Sequence, residues 1–527
     1  MTLSMDFPYA SQRMPVFARN VVATSQPLAA QAGLNMLRKG GNAMDAALTA
    51  AITLAVVEPT HNGIGSDAFA IVWDGKRLSG LNGSGRSPKA LSPERFAGQK
   101  TIPALGWDAV TVPGAVDAWS KLSERFGSVP FPELFEPAIR YAENGFLVSP
   151  KIAGAWTFAQ QLYKEFPDFA DAFLPGGQAP VAGQLFRCPQ QARTLEEIAA
   201  TKGESFYRGK LAERIAAHAE STGGLLTADD LSAHESEWVD PLSQEYHGIH
   251  LHEIPPNGQG LAALIALGIL RHLDIRNYPM DSAESIHLQV EAMKIAFAEA
   301  HRHIADPASM VVDPQALLDD AFLAERAKEI RMDRAMSPRS SVPVPGGTVY
   351  LTAADDQGMM VSFIQSPYMS FGSGIVVPGT GICLQSRGSG FTLEEGHPNQ
   401  VAGGKRPYHT IIPGFVTRNN QPVMSFGVMG AHMQPQGHVQ MIIRIFDYGL
   451  NPQAASDAPR WHVYEDYRLA LETGFDTGVI EGLKKRGHTL EVGAPPFLFG
   501  GAQLIMKTES GFCAASDHRK DGQAIGF

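Results

Sequence analysis

The stretch PVPGGTVYLTAADDQGMMVSF, residues 343–363, sets one threonine, Thr348, where a Pro-Gly segment meets an alternating apolar run. A hydroxyl at that junction can attack the carbonyl of residue 347, and Gly347 has no side chain to obstruct it. Cleavage there would free an α-amine whose ordinary pKa of about 7.7 to 8 leaves part of it neutral near pH 7, able to act as base for its own hydroxyl. One residue would then supply nucleophile and base. A threonine opening a strand is also simply a good β-former, and the local pattern leaves both readings open.

Other chemistries find less support. The chain has no G-x-S-x-G, so an α/β-type serine hydrolase is set aside. His301 and His303 are two residues apart and point to different faces of a helix, and His432 and His438 read as packing residues, so no metal is expected. GIGSDAF (63–69) lacks the lysine and spacing of a phosphate loop, and no cofactor is expected.

The elements that must position Thr348 occupy 527 residues, 44% of them hydrophobic, which is ample for a large core. Lys and Arg number 43 against 54 Asp and Glu, and no basic cluster tracks a phosphate backbone, so nucleic acid is not an expected partner. The longest apolar run, AALTAAITLAVV (46–57), is too short to span a membrane, and the N-terminus lacks a secretory pattern; a cytoplasmic protein without membrane contact is expected. Cys188, Cys383 and Cys513 are widely spaced and read as reduced thiols.

Apolar spacing predicts a helix over 27–38 and a second one capped by Asn42, then a hairpin turning at Asp74-Gly75. Helices are expected over 260–273 and 282–304, and a Ser/Pro/Gly-rich linker from 333 to 347. Strands TVYLTAAD and MMVSFIQS follow, joined at Asp355–Gly358, with a helical stretch from about His438.

Along almost its whole length the chain resembles the γ-glutamyltransferase family. The landmarks are GGNAMDAA (40–47), VVEPTHNGIGSDAF (56–69), VPGAVDAW (112–119), GTVYLTAADDQG, SFGSGIVVPGTGI (370–382), GKRPYHTIIP (404–413) and DYGLNPQAASDAPRWH (447–462), in family order. The resemblance implies an α+β fold, the αββα sandwich of N-terminal nucleophile hydrolases. It also implies a proenzyme cut at Gly347-Thr348 into an α-chain (1–347) and a β-chain (348–527), which form one αββα heterodimer that could pair further. By the same resemblance Thr348 is the nucleophile, Ser366 replaces a Thr that hydrogen-bonds it, and Gly430-Ala431 falls on the Gly-Gly pair whose backbone amides form the oxyanion hole.

The substrate anchors of glutathione-acting members are replaced. Pro93 stands where they have a carboxylate-binding Arg, Ser389-Gly390 near their acidic residue, His409-Thr410 at a Ser-Ser pair and Tyr368 at an Asn. Losing two charged anchors removes roughly 3 to 6 kcal/mol of binding, which argues against a γ-glutamyl substrate and for a filled-in pocket holding a small amide. The pattern is similar to a family branch that splits oxamate into oxalate and ammonia in purine and allantoin breakdown. A substrate carboxylate needs a cation: Arg86, flanked by glycines, is the first candidate, with His409 and Arg387 behind it, while Arg406 is equally well read as a further cation or as a structural anchor for its loop. Another acyl-transfer activity of the fold, γ-glutamyl hydrolysis or side-chain acylase work, and an uncleaved binding homologue are the alternatives.

Overall fold

A computed structural model describes residues 12–337 and 347–527. Most of the linker expected over 333–347 therefore lies outside the described residues.

Helix Pro27–Arg38 is followed by Ala43–Val57, whose cap Asn42 accepts from Asp45 N while the Asp45 carboxylate accepts from Asn42 N. Every residue of the second helix is buried, because it lies on the strand that begins at Gly347. That strand, Gly347–Ala354, is central in a seven-stranded antiparallel sheet. Its order is Gln523–Gly526, Val21–Thr24, Gly347–Ala354, Met360–Tyr368, Asp67–Trp73, Leu78–Gly83 and Glu237–Val239. The Asp74-Gly75 hairpin forms as a four-residue loop, with the Asp74 carboxylate accepting from Lys76 N and Arg77 N.

A second seven-stranded sheet faces the first, in the order Val16–Ala18, Phe512–Ser516, Gly501–Lys507, Gln421–Met429, Gly414–Arg418, Ile249–Glu253 and Leu242–Tyr246. Strand alternation divides the core. Val349, Leu351 and Ala353 pack under the first helices, while Tyr350 and Ala354 pack between the sheets with Phe415, Met429 and Ile505. Val416, Phe426 and Val428 turn the other way, onto helices Gly260–Leu270 and Ala283–His303. The result is helix, sheet, sheet, helix, the αββα order.

The late helix differs from expectation: it starts at Met433 rather than near His438, ends at Ile442 and continues as a wider turn over Ile443–Asp447. Gln434-Pro435 looks like a breaker, but in a first turn the missing proline N–H has no helical partner to lose. Cys188, Cys383 and Cys513 are free and buried. Among the described residues no helix is long and apolar enough to cross a membrane.

Candidate active site

Thr348 is buried at the start of its strand, where the pairing with the next strand slips between Gly347 and Val349. Its hydroxyl donates to Ser366 Oγ at 3.2 Å, and Ser366 Oγ donates to the Gly347 carbonyl oxygen at 2.6 Å. Ser366 Oγ also accepts from Tyr368 N at 2.9 Å and from Arg387 at 3.1 Å. One serine thus ties together the threonine hydroxyl, the preceding carbonyl and a cation.

The facing sheet supplies the other side. Thr352 and Ser425 share a hydrogen bond of 2.6 Å across the sheets, and a Cβ on Gly427 would lie 2.4 Å from the Tyr350 ring. The two strands therefore run oppositely, and two residues further on the same progression brings Thr348 to the level of Met429, just before Gly430-Ala431. That pair turns sharply, at φ of 116° and 50°, before helix Met433–Ile442. Gln259 fixes the turn from behind, donating to Ala431 O at 2.9 Å.

Arg387 is completely buried. It donates to Thr410 Oγ1 at 2.7 Å as well as to Ser366, stacks at 4.7 Å from the Tyr368 ring centroid, and leaves Nε without a partner. No carboxylate of the described residues lies within ion-pair distance of it. Burial pulls its pKa down to about 10, against the opposing field of Asp67. A buried cation lacking a counter-ion is costly, and this one lies at a cavity of about 550 Å³ that is also lined by Tyr368, Ser389, Thr410 and His432.

Three expectations need correction. Arg86 does not reach this cavity: its guanidinium is held by Asp306 at 2.6 Å and Gly404 O at 3.2 Å, and lies 3.7 Å from Glu237. The glycines around it serve loop packing, since a Cβ on Gly85 would lie 1.6 Å from Val112 O. His409 is buried outside the cavity lining, with Nδ1 accepting from Ile411 N and Nε2 donating to Asp67 at 3.0 Å. Burial and the nearby Arg387 and Arg406 hold its pKa well below the usual imidazole range, so it is neutral. The pocket is not filled in either, because Tyr368 lies against Arg387 instead of occupying the space. Of the two readings open for Arg406, its contacts fit the loop anchor: it donates to Ser84 O and pairs with Glu237.

Asp67 is a completely buried acid that the sequence reading did not single out. Burial pushes its carboxyl up to about 7, opposed by Arg387 and by amides of Gly114 and Gly85. Its only signal was an acid opening an otherwise apolar strand. The fold also gathers potential metal ligands: atoms of His301, His432 and Glu465 at the cavity wall lie within 4.8 Å of one another, as do those of buried His287, Glu291 and His488.

Residues 29–527 match the model described as gamma-glutamyltranspeptidase. The chain belongs to that family. It is 38% identical over 520 residues to the glutathione hydrolase-like YwrD proenzyme of Bacillus subtilis, covering 97% of this chain and 98% of that protein. It is 36% identical over 517 residues to the oxamate amidohydrolase proenzyme of Klebsiella pneumoniae, covering 95% and 97%. The crystal structure of a cephalosporin acylase from Bacillus halodurans superposes with a TM-score of 0.95 at 46% identity, covering 100% of this chain and 99% of that one. The chain is an N-terminal nucleophile hydrolase of a family of amidohydrolases, acylases and γ-glutamyl-transferring enzymes made as self-processing proenzymes.

Proposed function

We propose that the chain cleaves itself between Gly347 and Thr348 and uses the new N-terminal threonine to hydrolyse a small amide whose acyl part carries a carboxylate beside the scissile carbonyl. Oxamate is the simplest such molecule. The observation that carries this reading is Arg387, a buried guanidinium with no carboxylate at ion-pair distance among the described residues and hydrogen-bonded to Ser366. The bonds of 3.2 Å and 3.1 Å through Ser366 keep it within their 6.3 Å sum of the Thr348 hydroxyl. A carboxylate directly bonded to the attacked carbon fits that gap, with about 3 Å from nucleophile to carbon and about 2.8 Å from guanidinium to oxygen. A γ-glutamyl carboxylate, several carbons further on, overshoots it.

In this mechanism the free α-amine of Thr348 takes the proton from its own hydroxyl, which Ser366 orients, and the oxygen attacks the amide carbon. The backbone amides of Gly430 and Ala431 hold the oxyanion, each such donor contributing about 2.7 to 4 kcal/mol in the transition state. Ammonia leaves with the proton from the amine, and water resolves the oxalyl ester. The products 1–347 and 348–527 stay together because strand Gly347–Ala354 is flanked by Val21–Thr24 on one side and Met360–Tyr368 on the other.

A second reading, acylase action on a larger amide, is favoured by the cavity of about 550 Å³, which is far more space than oxamate fills, and by the 46% identity to the acylase. Ammonia release from oxamate, measured beside a γ-glutamyl anilide and an N-acyl amide with a Thr348→Ala control, separates them. Thr348-dependent ammonia from oxamate supports the first reading; turnover of the N-acyl amide alone supports the second; turnover of none by cleaved protein defeats both.

A further inference from the structure

Gly347 is packed tightly on one side. A Cβ built on it would lie 3.0 Å from Ser370 N and 3.3 Å from Cδ2 of His61. The opposite edge of that imidazole is tied down: Nδ1 lies 3.1 Å from Glu58 Oε1 and 3.1 Å from Thr60 Oγ1. Glu58 is completely buried, and its other oxygen accepts from Ser25 Oγ at 2.5 Å. A carboxylate at Nδ1 fixes the proton there, which leaves the lone pair on Nε2. Cδ2, the ring atom bonded to Nε2, is the one nearest a Cβ on Gly347, so Nε2 lies on the Gly347 side of the ring and Nδ1 on the Glu58 side.

Self-cleavage cannot use the α-amine of Thr348 as base, because that nitrogen is still an amide. Ser366, which accepts from the Thr348 hydroxyl and donates to the Gly347 oxygen, can hand the proton on only to that oxygen and not to the departing nitrogen. We propose that His61, oriented by Glu58, takes this proton from the tetrahedral adduct to the departing nitrogen during cleavage at Gly347-Thr348. This rests on the cleavage position given above.

As the Thr348 oxygen bonds to the Gly347 carbon, the hydroxyl proton passes through Ser366 to the former carbonyl oxygen, giving a neutral tetrahedral adduct. His61 Nε2 removes that proton as the carbonyl reforms and delivers it to the Thr348 nitrogen as the carbon–nitrogen bond breaks. An ester and a free amine result, and water hydrolyses the ester. Burial and the positive charge of Lys520 lower the His61 pKa against the opposing pull of Glu58 and Asp521, which keeps the ring neutral and able to accept.

The test follows conversion of the full-length chain, made by cell-free synthesis, into two fragments on a denaturing gel. His61→Gln is expected to slow conversion by about a hundred-fold or more, the usual reach of general acid–base catalysis, while melting like Thr348→Ala. His61→Gly should recover in proportion to added neutral imidazole. Wild-type conversion by His61→Gln overturns the proposal, as does a slow His61→Gly chain that imidazole leaves slow. Should His61→Gln fail to melt cooperatively, Glu58→Gln decides: slowed conversion with a displaced pH profile supports the proposal, and an unchanged rate overturns it. Cleavage of Thr348→Ala would instead defeat the underlying cleavage reading.

Discussion

Replacing Arg387 by Met removes a buried charge while keeping an unbranched side chain. If that guanidinium holds the substrate carboxylate through two charge-assisted hydrogen bonds, each contributes about 1.5 to 3 kcal/mol. The loss of about 3 to 6 kcal/mol is roughly a hundred-fold to ten-thousand-fold in kcat/KM. The same substitution should leave thermal stability equal or raise it, because Arg387 is fully buried, its acceptors among the described residues are two neutral hydroxyls, and its pKa is pulled down to about 10. Activity and stability would then move in opposite directions, as at a site kept for function. The assay is ammonia release from oxamate and from an uncharged primary amide, with a melting curve for each variant. An equal loss on both amides, or a collapse of the melting temperature, would refute the reasoning, since it would make Arg387 a structural cation.

Ser366→Ala strands the donors of Arg387 and Tyr368 N; at about 1 to 3 kcal/mol it should slow turnover roughly ten-fold to a hundred-fold, and Ser366→Thr should restore it in the same assay. Gly347→Ala puts a methyl 3.0 Å from Ser370 N and 3.3 Å from the His61 ring, so pulse-labelled precursor should persist longer than wild type on a gel. Asp67 has a folded pKa of about 7 against an ordinary 3.8, so the folded state holds the proton more tightly. Its contribution to stability is full below pH 3.8 and is lost as pH rises through 7. Urea unfolding of Asp67→Asn should therefore lack a wild-type decline of a few kcal/mol across that window.

Much of the fold was legible because local signals agreed with one another. Asn42 caps its helix where the sequence places a cap, and the alternation after Thr348 becomes a strand with Val349, Leu351 and Ala353 on one face. The bond from Thr348 to Ser366 also follows from family position. Arg387 was ranked below Arg86 for a physical reason: a glycine-flanked arginine looks like a ligand clamp, and nothing local shows that Asp306, 220 residues away, already holds it. Nor does any short segment reveal that Ser366 and Thr410, from separate elements, converge on Arg387. Cavity size was misread for a related reason, since the volume that Tyr368 occupies depends on its stacking. His61 was visible only as part of a landmark, because its contact with Gly347 spans 286 positions.

The central claim, that Thr348 becomes an N-terminal nucleophile, is met most directly by intact-mass and N-terminal sequence analysis of freshly purified protein. The account predicts two fragments, one ending at Gly347 and one beginning TVYLTAAD, and a single uncut, inactive species for Thr348→Ala. A chain that hydrolyses amides while still uncut, or a second fragment beginning at any other residue, would contradict it.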